Sequence, residues 1–473
     1  MKLAVTLLST ALALAASELT ATPPIDLEAA VVLVKSQNLE IKAADYDLQS
    51  AKADANIAYG YHWGSLDFTQ DIANSNNPGN VFGFKLASRE ATFGDFGFDQ
   101  FLAPLGGALL QANDGTLTPS DLQAMGSVLA TRPDALNYPK SRTFFQSKLA
   151  YQLPIYVGGK LSAYSRITEA VAKIKSLDKE QVTDEKIYQV RKSFYDMALL
   201  NSSLTHFGKI LENIKTLEAT TEAMIQEGYA KKTDLLEVQA KRANVERMIN
   251  EMNSNKALLY HFISFLLNRD VTEITPPEED VPMCVRSDEQ VLENSLDLKK
   301  AAMGLEITDD MVGVSYAGFL PQIGAFAEIS TADNSIFGDA QDHKAYSVGA
   351  RLSWNLFNGD IDAQQVEKAK IGHLKMQTQM TLARKGIALK LHQIRTEIAK
   401  HDYEIESLAK ELELASEIYE SYATRYREQL ASMSDVLIKQ SEQIEKILAL
   451  LMAKNKRNER VFALQRLANG EAL

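Results

Sequence analysis

Residues 345–356 read AYSVGARLSWNL, a stretch in which apolar side chains alternate with small or polar ones. The apolar face consists of Tyr346, Val348, Ala350, Leu352, Trp354 and Leu356. The second face consists of Ser347, Gly349, Arg351, Ser353 and Asn355. A period of two predicts a β-strand. The pattern fits a half-buried sheet of a soluble protein and a transmembrane strand equally well, since both alternate in this way.

Three further segments carry this alternation, and the four form two related pairs. The strands are expected at about 64–73, 144–154, 321–331 and 345–356. Residues from Asn38 match residues from Ser295 at an offset of 257, and LPIYVGG (153–159) matches WNLFNGD (354–360) at an offset of 201. A fixed offset over many positions predicts a duplicated fold.

The offset of the earlier match, 257, is larger than that of the later match, 201. The first copy therefore contains an insertion between its two matching segments, and this insertion lies within 73–143. This segment is rich in Gly, Phe, Asn and Pro. We expect a long loop at about 74–143, with room for one short helix near 120–129.

Long helices are expected in both copies, because proline is absent from 155–275 and after 321. Each copy should begin with a single continuous helix (26–58 and 287–316). The later helices are expected at 160–227, 233–269, 361–428 and 434–468, and the longest would run about 100 Å at 1.5 Å per residue. The first repeat would span 18–275, the proline-rich linker 276–286 and the second repeat 287–473.

The N-terminal segment 1–17 has the character of an export signal. Lys2 is followed by an apolar run at 3–16, and Ala15 and Ser17 have the spacing that signal peptidase favours. We expect cleavage after Ser17. No cysteine follows that could accept a lipid, so the exported protein is not expected to be lipidated.

Composition excludes several classes of function. There are 50 Lys and Arg against 62 Asp and Glu, a net charge of −12 that argues against a nucleic-acid partner. The single cysteine, Cys284, excludes a cysteine-based metal site or iron–sulfur cluster. The seven histidines lack ligand spacing, and neither a phosphate loop nor a nucleophile elbow is present. The sequence therefore predicts no enzyme, metal or cofactor.

An exported chain with four alternating strands raises the question of how the strands are completed. Four strands cannot enclose a lumen, and open strand edges are not tolerated in lipid. Three copies would supply twelve strands, enough for an aqueous bore, whereas the eight strands of a dimer would have an interior filled by side chains. We therefore expect a homotrimer.

The duplicated layout resembles that of the TolC family of outer-membrane efflux proteins. The resemblance covers essentially the whole mature chain and rests on LPIYVGGK (153–160), LSWNLFNGD (352–360), LNYPKSRTFFQSKLAYQ (136–152) and EGYAKKTDLLEVQAK (227–241). It implies a mainly α protomer with four β-strands, and a trimeric 12-stranded transmembrane β-barrel in the outer membrane of a Gram-negative bacterium. A long periplasmic α-helical barrel would continue the β-barrel.

The resemblance also implies a function and partners. Members of the family serve as the exit duct of tripartite efflux or type I secretion systems. They are surrounded by outer-membrane lipid and are joined by a periplasmic adaptor (membrane fusion) protein to an inner-membrane transporter of the RND or ABC type. Substrate would pass through such a duct passively.

Site residues follow from the same resemblance. The periplasmic aperture would be formed by Asp435, Tyr426, Asp234 and Thr233. The helix tips that contact the adaptor would present Gly228, Tyr229, Gln429 and Leu430. Arg351 and Lys148, on polar strand faces, are expected to face the barrel lumen. Ala431 and Ile438 depart from the family, which has a gating Arg and a second ring Asp at these positions.

A plainer interpretation exists for the acids. Thr233 and Ser434 have the character of N-caps, with Asp234 and Asp435 in the first helical turn, where the helix dipole favours an anion. Gly228 and its counterpart Gln429 differ, so the two tips are not expected to be equivalent. For the chain as a whole, the alternative to a channel is an exported coiled-coil adhesin or structural surface protein, which needs no repeated strands.

Overall fold

The computed structural model describes residues 24–111, 118–278, 280–283, 286–336, 338 and 341–468. The expected signal peptide at 1–17 lies outside these residues. The first repeat contains α1 (Leu27–Gln37), α2 (Leu39–Gly60), β1 (Ser65–Ser75), α3 (Pro78–Ala87), α4 (Phe98–Gln111), α5 (Pro119–Val128), α6 (Asp134–Asn137), β2 (Arg142–Val157), α7 (Lys160–Gln226) and α8 (Lys232–Leu267). The second contains α9 (Asp288–Asn294), α10 (Leu296–Tyr316), β3 (Gln322–Asp333), β4 (Lys344–Ser353), α11 (Ile361–Arg427) and α12 (Met433–Leu467). The prediction of a mainly helical chain with four strands is confirmed.

The first helix of each repeat is broken, and the prediction of continuous helices at 26–58 and 287–316 was wrong. The breaks fall at Asn38 and Ser295, which are equivalent positions of the two repeats and have extended ψ angles of 130° and 120°. The Asn38 carboxamide oxygen accepts hydrogen bonds from the backbone N–H groups of Glu40 and Ile41 at 2.9 and 3.2 Å. A short polar side chain thus starts a new helix in mid-pattern, because it offers the backbone an alternative partner.

The four strands form one antiparallel sheet in the order β1-β2-β3-β4. Neither β1 nor β4 has a partner on its outer edge in the described part of the chain. The end of the sheet that joins the long helices turns sharply at Gly158, whose φ is +66°. A Cβ there would lie 2.9 Å from the Cβ of Ala317, so the corner requires glycine. Gly359, the counterpart of Gly158 in the second repeat, has a φ of +69°.

The connection between β1 and β2 is not a plain loop, which corrects the expectation for 74–143. It holds α3, α4, α5 and α6, and only α5 corresponds to the short helix expected near 120–129. Asn77 caps α3 by accepting from the backbone N–H of Gly79 at 3.0 Å, and Pro78 occupies the first helical position. Asn77 and Pro78, residue types that favour a loop, therefore start a helix here.

The chain divides into two compact units. One contains the sheet and consists of Ala51–Ala172 and Gly304–Met376; the other is helical and includes Lys173–Met303 and the chain from Gln377 onward.

The helical unit contains two cores that the duplication relates. Val34, Val190 and Ile263 are buried in the first, and Val291, Leu391 and Leu464 in the second. Val34 corresponds to Val291 at the first sequence offset. The later-helix residues, Val190 and Ile263, correspond to Leu391 and Leu464 at the second. A third core joins α7, α8, α11 and α12 near the turns that connect them.

Among the described residues, no helix is both long enough and apolar enough to cross a membrane. The same residues contain no group of His, Cys, Asp and Glu side chains that could hold a metal ion.

Candidate functional site

The turns between α7 and α8 and between α11 and α12 have the same backbone geometry. Gly228 and Gln429 end the preceding helices with φ angles of +78° and +65°. The next residues, Tyr229 and Leu430, donate their N–H groups to the carbonyls of Met224 and Arg425 at 2.7 and 2.8 Å. Both turns are therefore Schellman-type C-caps. Although their side chains differ, the two tips are equivalent in backbone conformation, which corrects the expectation.

The helices that follow these turns begin earlier in the chain than expected. The N-caps are Lys231 and Ser432, so the assignment of Thr233 and Ser434 as N-caps was wrong. Ser432 accepts from the backbone N–H of Asp435 at 3.2 Å, while the Asp435 carboxylate accepts from the Ser432 N–H at 3.2 Å. This reciprocal pair is a capping box, which requires the acid at the third helical position after the cap.

Asp435 is exposed, and its carboxylate belongs to this cap. Hydrogen bonds from the hydroxyl and the N–H of Ser432 lower the pKa of Asp435. Asp234 accepts from the Lys231 N–H at 3.2 Å, and the Thr233 hydroxyl lies 3.5 Å from its other oxygen. Lys231 has no side-chain acceptor, so the first tip has only half of the capping box. Asp234 and Asp435 each lie near a turn. One chain has a single copy of each acid, so a ring of either acid around a symmetry axis would require further copies of the chain.

Tyr426 is buried within its own protomer. Its side chain is 4% exposed and packs in the core that joins α7, α8, α11 and α12. Its hydroxyl has no hydrogen-bond partner among the described residues, and the nearby Thr221 hydroxyl donates to the Leu217 carbonyl at 2.7 Å. Burial raises the pKa of Tyr426. Tyr426 therefore supports the tip from inside.

Large apolar side chains are exposed on the two turns. The most exposed are Tyr229 and Leu430, at 64% and 73%. Gly228 and Gln429 lie directly beside them and are also exposed. The expected adaptor-contacting residues thus form accessible turns, and Ile438 on α12 is exposed as well.

Two contacts at the tips link the first repeat to the second, and sequence reasoning missed them. The Ser434 hydroxyl donates to Glu237 at 3.1 Å, and the Lys241 ammonium donates to the Ser441 hydroxyl at 2.7 Å. Burial lowers the pKa of Lys241. These contacts join α8 to α12. Exposed polar residues on two helices give no signal of pairing in one sequence.

Two basic side chains near the second tip, Arg425 and Lys439, lie close to the aromatic ring of Tyr422. The Arg425 guanidinium lies 5.6 Å from the centre of the Tyr422 ring, and the Lys439 ammonium lies 5.9 Å from it. Both distances suit cation–π interactions. Arg425 therefore interacts with Tyr422 of its own protomer. Ala431, at the position where the family has a gating Arg, is uncharged.

The sheet has one polar and one apolar face. Lys148, Glu328 and Arg351 lie on the same face of the sheet. Ala150 shares a face with Lys148 and pairs with Glu328, and Glu328 pairs with Ser347, which shares a face with Arg351. Lys148 and Glu328 form an ion pair at 3.9 Å. Other residues of the polar face are Asp67, Thr69, Asp71, Gln146, Gln152, Ser330 and Ser347. The opposite face is formed by Leu66, Phe68, Ile72, Leu149, Ile329, Tyr346, Val348 and Leu352.

The apolar face is uncovered. Phe68 is 67% exposed, Val348 73% and Leu352 63%. Monomeric soluble proteins rarely expose so large an apolar surface, which marks contact with a membrane or a partner.

Comparison with known proteins gives a consistent result. Residues 118–257 and 289–470 match the family described as "Outer membrane efflux protein". The chain is similar in structure to CusC, from a study of conformational changes accompanying folding and transmembrane channel formation, with 13% identity, a TM-score of 0.74 and coverage of 93% of this chain and 91% of CusC. No curated protein matches the sequence.

Two further solved structures share the fold. The outer membrane protein VceC of Vibrio cholerae is 13% identical, with a TM-score of 0.71 and coverage of 94% of this chain and 96% of VceC. The MtrE outer membrane channel of Neisseria gonorrhoeae, in its open state, is 12% identical, with a TM-score of 0.71 and coverage of 94% and 88%.

Proposed function

The chain belongs to the outer membrane efflux protein family, and we propose that three copies of it form the exit duct of a tripartite efflux or type I secretion system. The observation that carries the proposal is the four-stranded sheet, which has an uncovered apolar face and, among the described residues, two unpartnered edges. Surrounding lipid suits the apolar face, and pairing with neighbouring copies satisfies the edges. Three copies give the twelve strands of a barrel with an aqueous bore.

The polar face of the sheet would line the bore. Lys148 and Arg351 then face the lumen, while Leu352, the next residue, faces lipid. Cysteines placed singly at 351 and 352, with Cys284 replaced by Ser, test this register. A lipophilic maleimide should label position 352, and a charged, membrane-impermeant maleimide should label position 351. The reverse result would refute the assignment.

The turns near Gly228 and Gln429 would be the periplasmic tips. Three copies of Asp435 around the threefold axis would form an acidic aperture, with Asp234 and Thr233 at the neighbouring turn and Tyr426 supporting the wall from within. Tyr229 and Leu430 expose apolar surface on backbone-equivalent turns, which suits packing by a periplasmic adaptor. That adaptor would join the duct to an inner-membrane transporter of the RND or ABC type.

Further parts of the proposal concern processing and layout. The segment 1–17 would be a cleaved signal peptide, and the mature protein would not be lipidated. It would lie in the outer membrane of a Gram-negative bacterium and extend into the periplasm. Residues 276–286 would link two structural repeats, 18–275 and 287–473. Nucleic acid is not proposed as a partner.

One experiment separates the channel from an exported adhesin. The purified protein should run as a heat-modifiable trimer from the outer-membrane fraction and conduct ions in a planar bilayer. An adhesin would be recovered without conductance. The family match does not favour that alternative.

A further inference from the structure

The helical connection between β1 and β2 packs on the polar face of the sheet. Phe84 of α3 stacks on Phe144 of β2, with ring centres 4.2 Å apart and planes within 9°. Phe144 alternates in register with Gln146 and Lys148, so its side chain points to the face that also carries Arg351. Phe144 is 7% exposed and Val81 of α3 only 2%. The connection thus covers the polar face at one end.

Polar contacts fix α3 in this place. Arg142, at the start of β2, forms an ion pair with Glu90 and donates to the buried Ser88 hydroxyl at 2.9 Å. Arg89 donates to the Lys344 carbonyl, at the start of β4, at 2.5 Å. The connection is therefore attached to both strand pairs of the sheet.

The covered end of the sheet is opposite the strand ends that connect to α2, α7, α10 and α11. α2 and α10 lead into β1 and β3, and β2 and β4 lead out to α7 and α11, all at the same end of the sheet. The opposite end has the long β1–β2 connection (76–141) and the short β3–β4 connection (334–343). The helices that form the cover belong to the first connection.

Beyond α3, the connection exposes large apolar side chains. Phe93, Leu109 and Leu110 are exposed by 76%, 52% and 76%. A surface of this kind is poorly suited to bulk water and well suited to packing against its own counterparts in neighbouring copies.

We propose that α3–α6 form a constriction in the outer mouth of the channel, where three copies of the connection meet and limit the size of solutes that pass. This inference rests on the proposed function, because it takes the polar face of the sheet as the lumen. The exposed apolar surface of each β1–β2 connection packs against the same connection of another protomer. The cover would act as a size filter at the extracellular end, separate from the periplasmic tips.

Cysteine accessibility on intact cells tests the constriction. The test uses Arg351→Cys in a chain that also carries Cys284→Ser. Position 351 lies near the end of β4 that leads to α11, so a reagent entering from the opposite end of the sheet must pass α3 to reach it. Two impermeant maleimides are compared, one small and charged and one on a long polyethylene glycol chain. In the full chain, the small reagent should react and the large one should not. Leu352→Cys is the matched lipid-facing control and should react with neither.

A second chain has the β1–β2 connection replaced by a Gly–Ser linker as long as the β3–β4 connection. The large reagent should now react with Arg351→Cys. Phe84→Ala combined with Glu90→Gln keeps the full length and loosens α3, and should also restore the reaction; it decides the outcome where the shortened chain fails to form trimers.

The outcomes are distinguishable. Reaction of the large reagent with the unaltered connection at the same rate as with the replaced one would overturn the constriction. Failure of the small reagent to react with Arg351→Cys in both chains, with the connection intact and with it replaced, would instead overturn the assignment of the polar face as the lumen, and with it the proposed function.

Discussion

Gln429 adopts the left-handed backbone conformation of Gly228, its counterpart in the first repeat, and ends α11 as Gly228 ends α7. A side chain with a Cβ is strained there, whereas glycine is not. The second tip therefore retains a cap geometry that its sequence does not favour.

Gln429→Gly should stabilise the protein by up to about 1 kcal/mol, since it relieves this strain. The melting temperature of the detergent-solubilised protein measures the effect. Arg427→Gly, at the last residue of α11, is the control and should lower the melting temperature, because Arg427 has a helical backbone conformation that glycine disfavours. A fall in melting temperature for Gln429→Gly would show that the Gln429 side chain makes stabilising contacts that outweigh its backbone strain.

The capping box at Ser432 predicts a dependence on pH. Because its folded pKa lies below the ordinary value of 3.8, ionised Asp435 stabilises the fold above that value. The contribution is lost as pH falls through the folded pKa. The difference in melting temperature between the wild type and Asp435→Asn should be constant at higher pH and shrink below the ordinary pKa. An unchanged difference in acid would contradict this linkage.

Removing the cap hydroxyl has a separate cost. Ser432→Ala should destabilise α12 by about 1 kcal/mol, as N-cap serines typically do. Thr233→Ala, at a position first expected to be an N-cap, should cost less, because Thr233 lies inside α8. Equal losses in thermal melts would contradict the assignment of the caps.

In the proposed trimer, Asp435 would form an acidic ring that attracts cations. Asp435→Ala is expected to weaken block by multivalent cations in planar-bilayer recordings. Ser432→Ala keeps the carboxylate and removes only the cap, so block should persist in that variant. Block that is unchanged in Asp435→Ala would leave the acid with a capping role alone.

Exposed apolar side chains on α11 predict where neighbouring copies pack. Leu382, Leu389 and Tyr403 are exposed by 69%, 60% and 77%, and successive positions are separated by multiples of seven. Such spacing is typical of coiled-coil contact with another helix. Leu389→Asp should prevent trimer formation, measured by electrophoresis without heating, whereas Thr381→Asp should not. A stable Leu389→Asp trimer would place the interface elsewhere.

The sequence was sufficient to predict the strands and the long helices, because alternation and the absence of proline act locally. It was insufficient at Asn38 and Ser295, where one polar side chain interrupts an otherwise helical pattern. Ser432 was missed because Ser434 lies closer to Asp435, and only the capping geometry distinguishes the two serines.

Tertiary placement was the larger gap. Tyr426 and Asp435 lie near the same turn, yet Tyr426 is buried and Asp435 is exposed. The sequence does not show this difference, because a helix that packs on several sides has no single apolar stripe. The helix α3 (Pro78–Ala87) was missed because Asn77-Pro78 starts a helix as readily as it forms a turn.

The order of the strands has a consequence for symmetry. β1 belongs to the first repeat and β4 to the second, so a neighbour's β4 beside β1 would join second repeat to first, as β3 and β2 are joined within one chain. The wall of a closed ring of three copies would then approach sixfold symmetry, built from six related hairpins. The long and short connections would alternate around its rim, so the mouth would be strictly threefold.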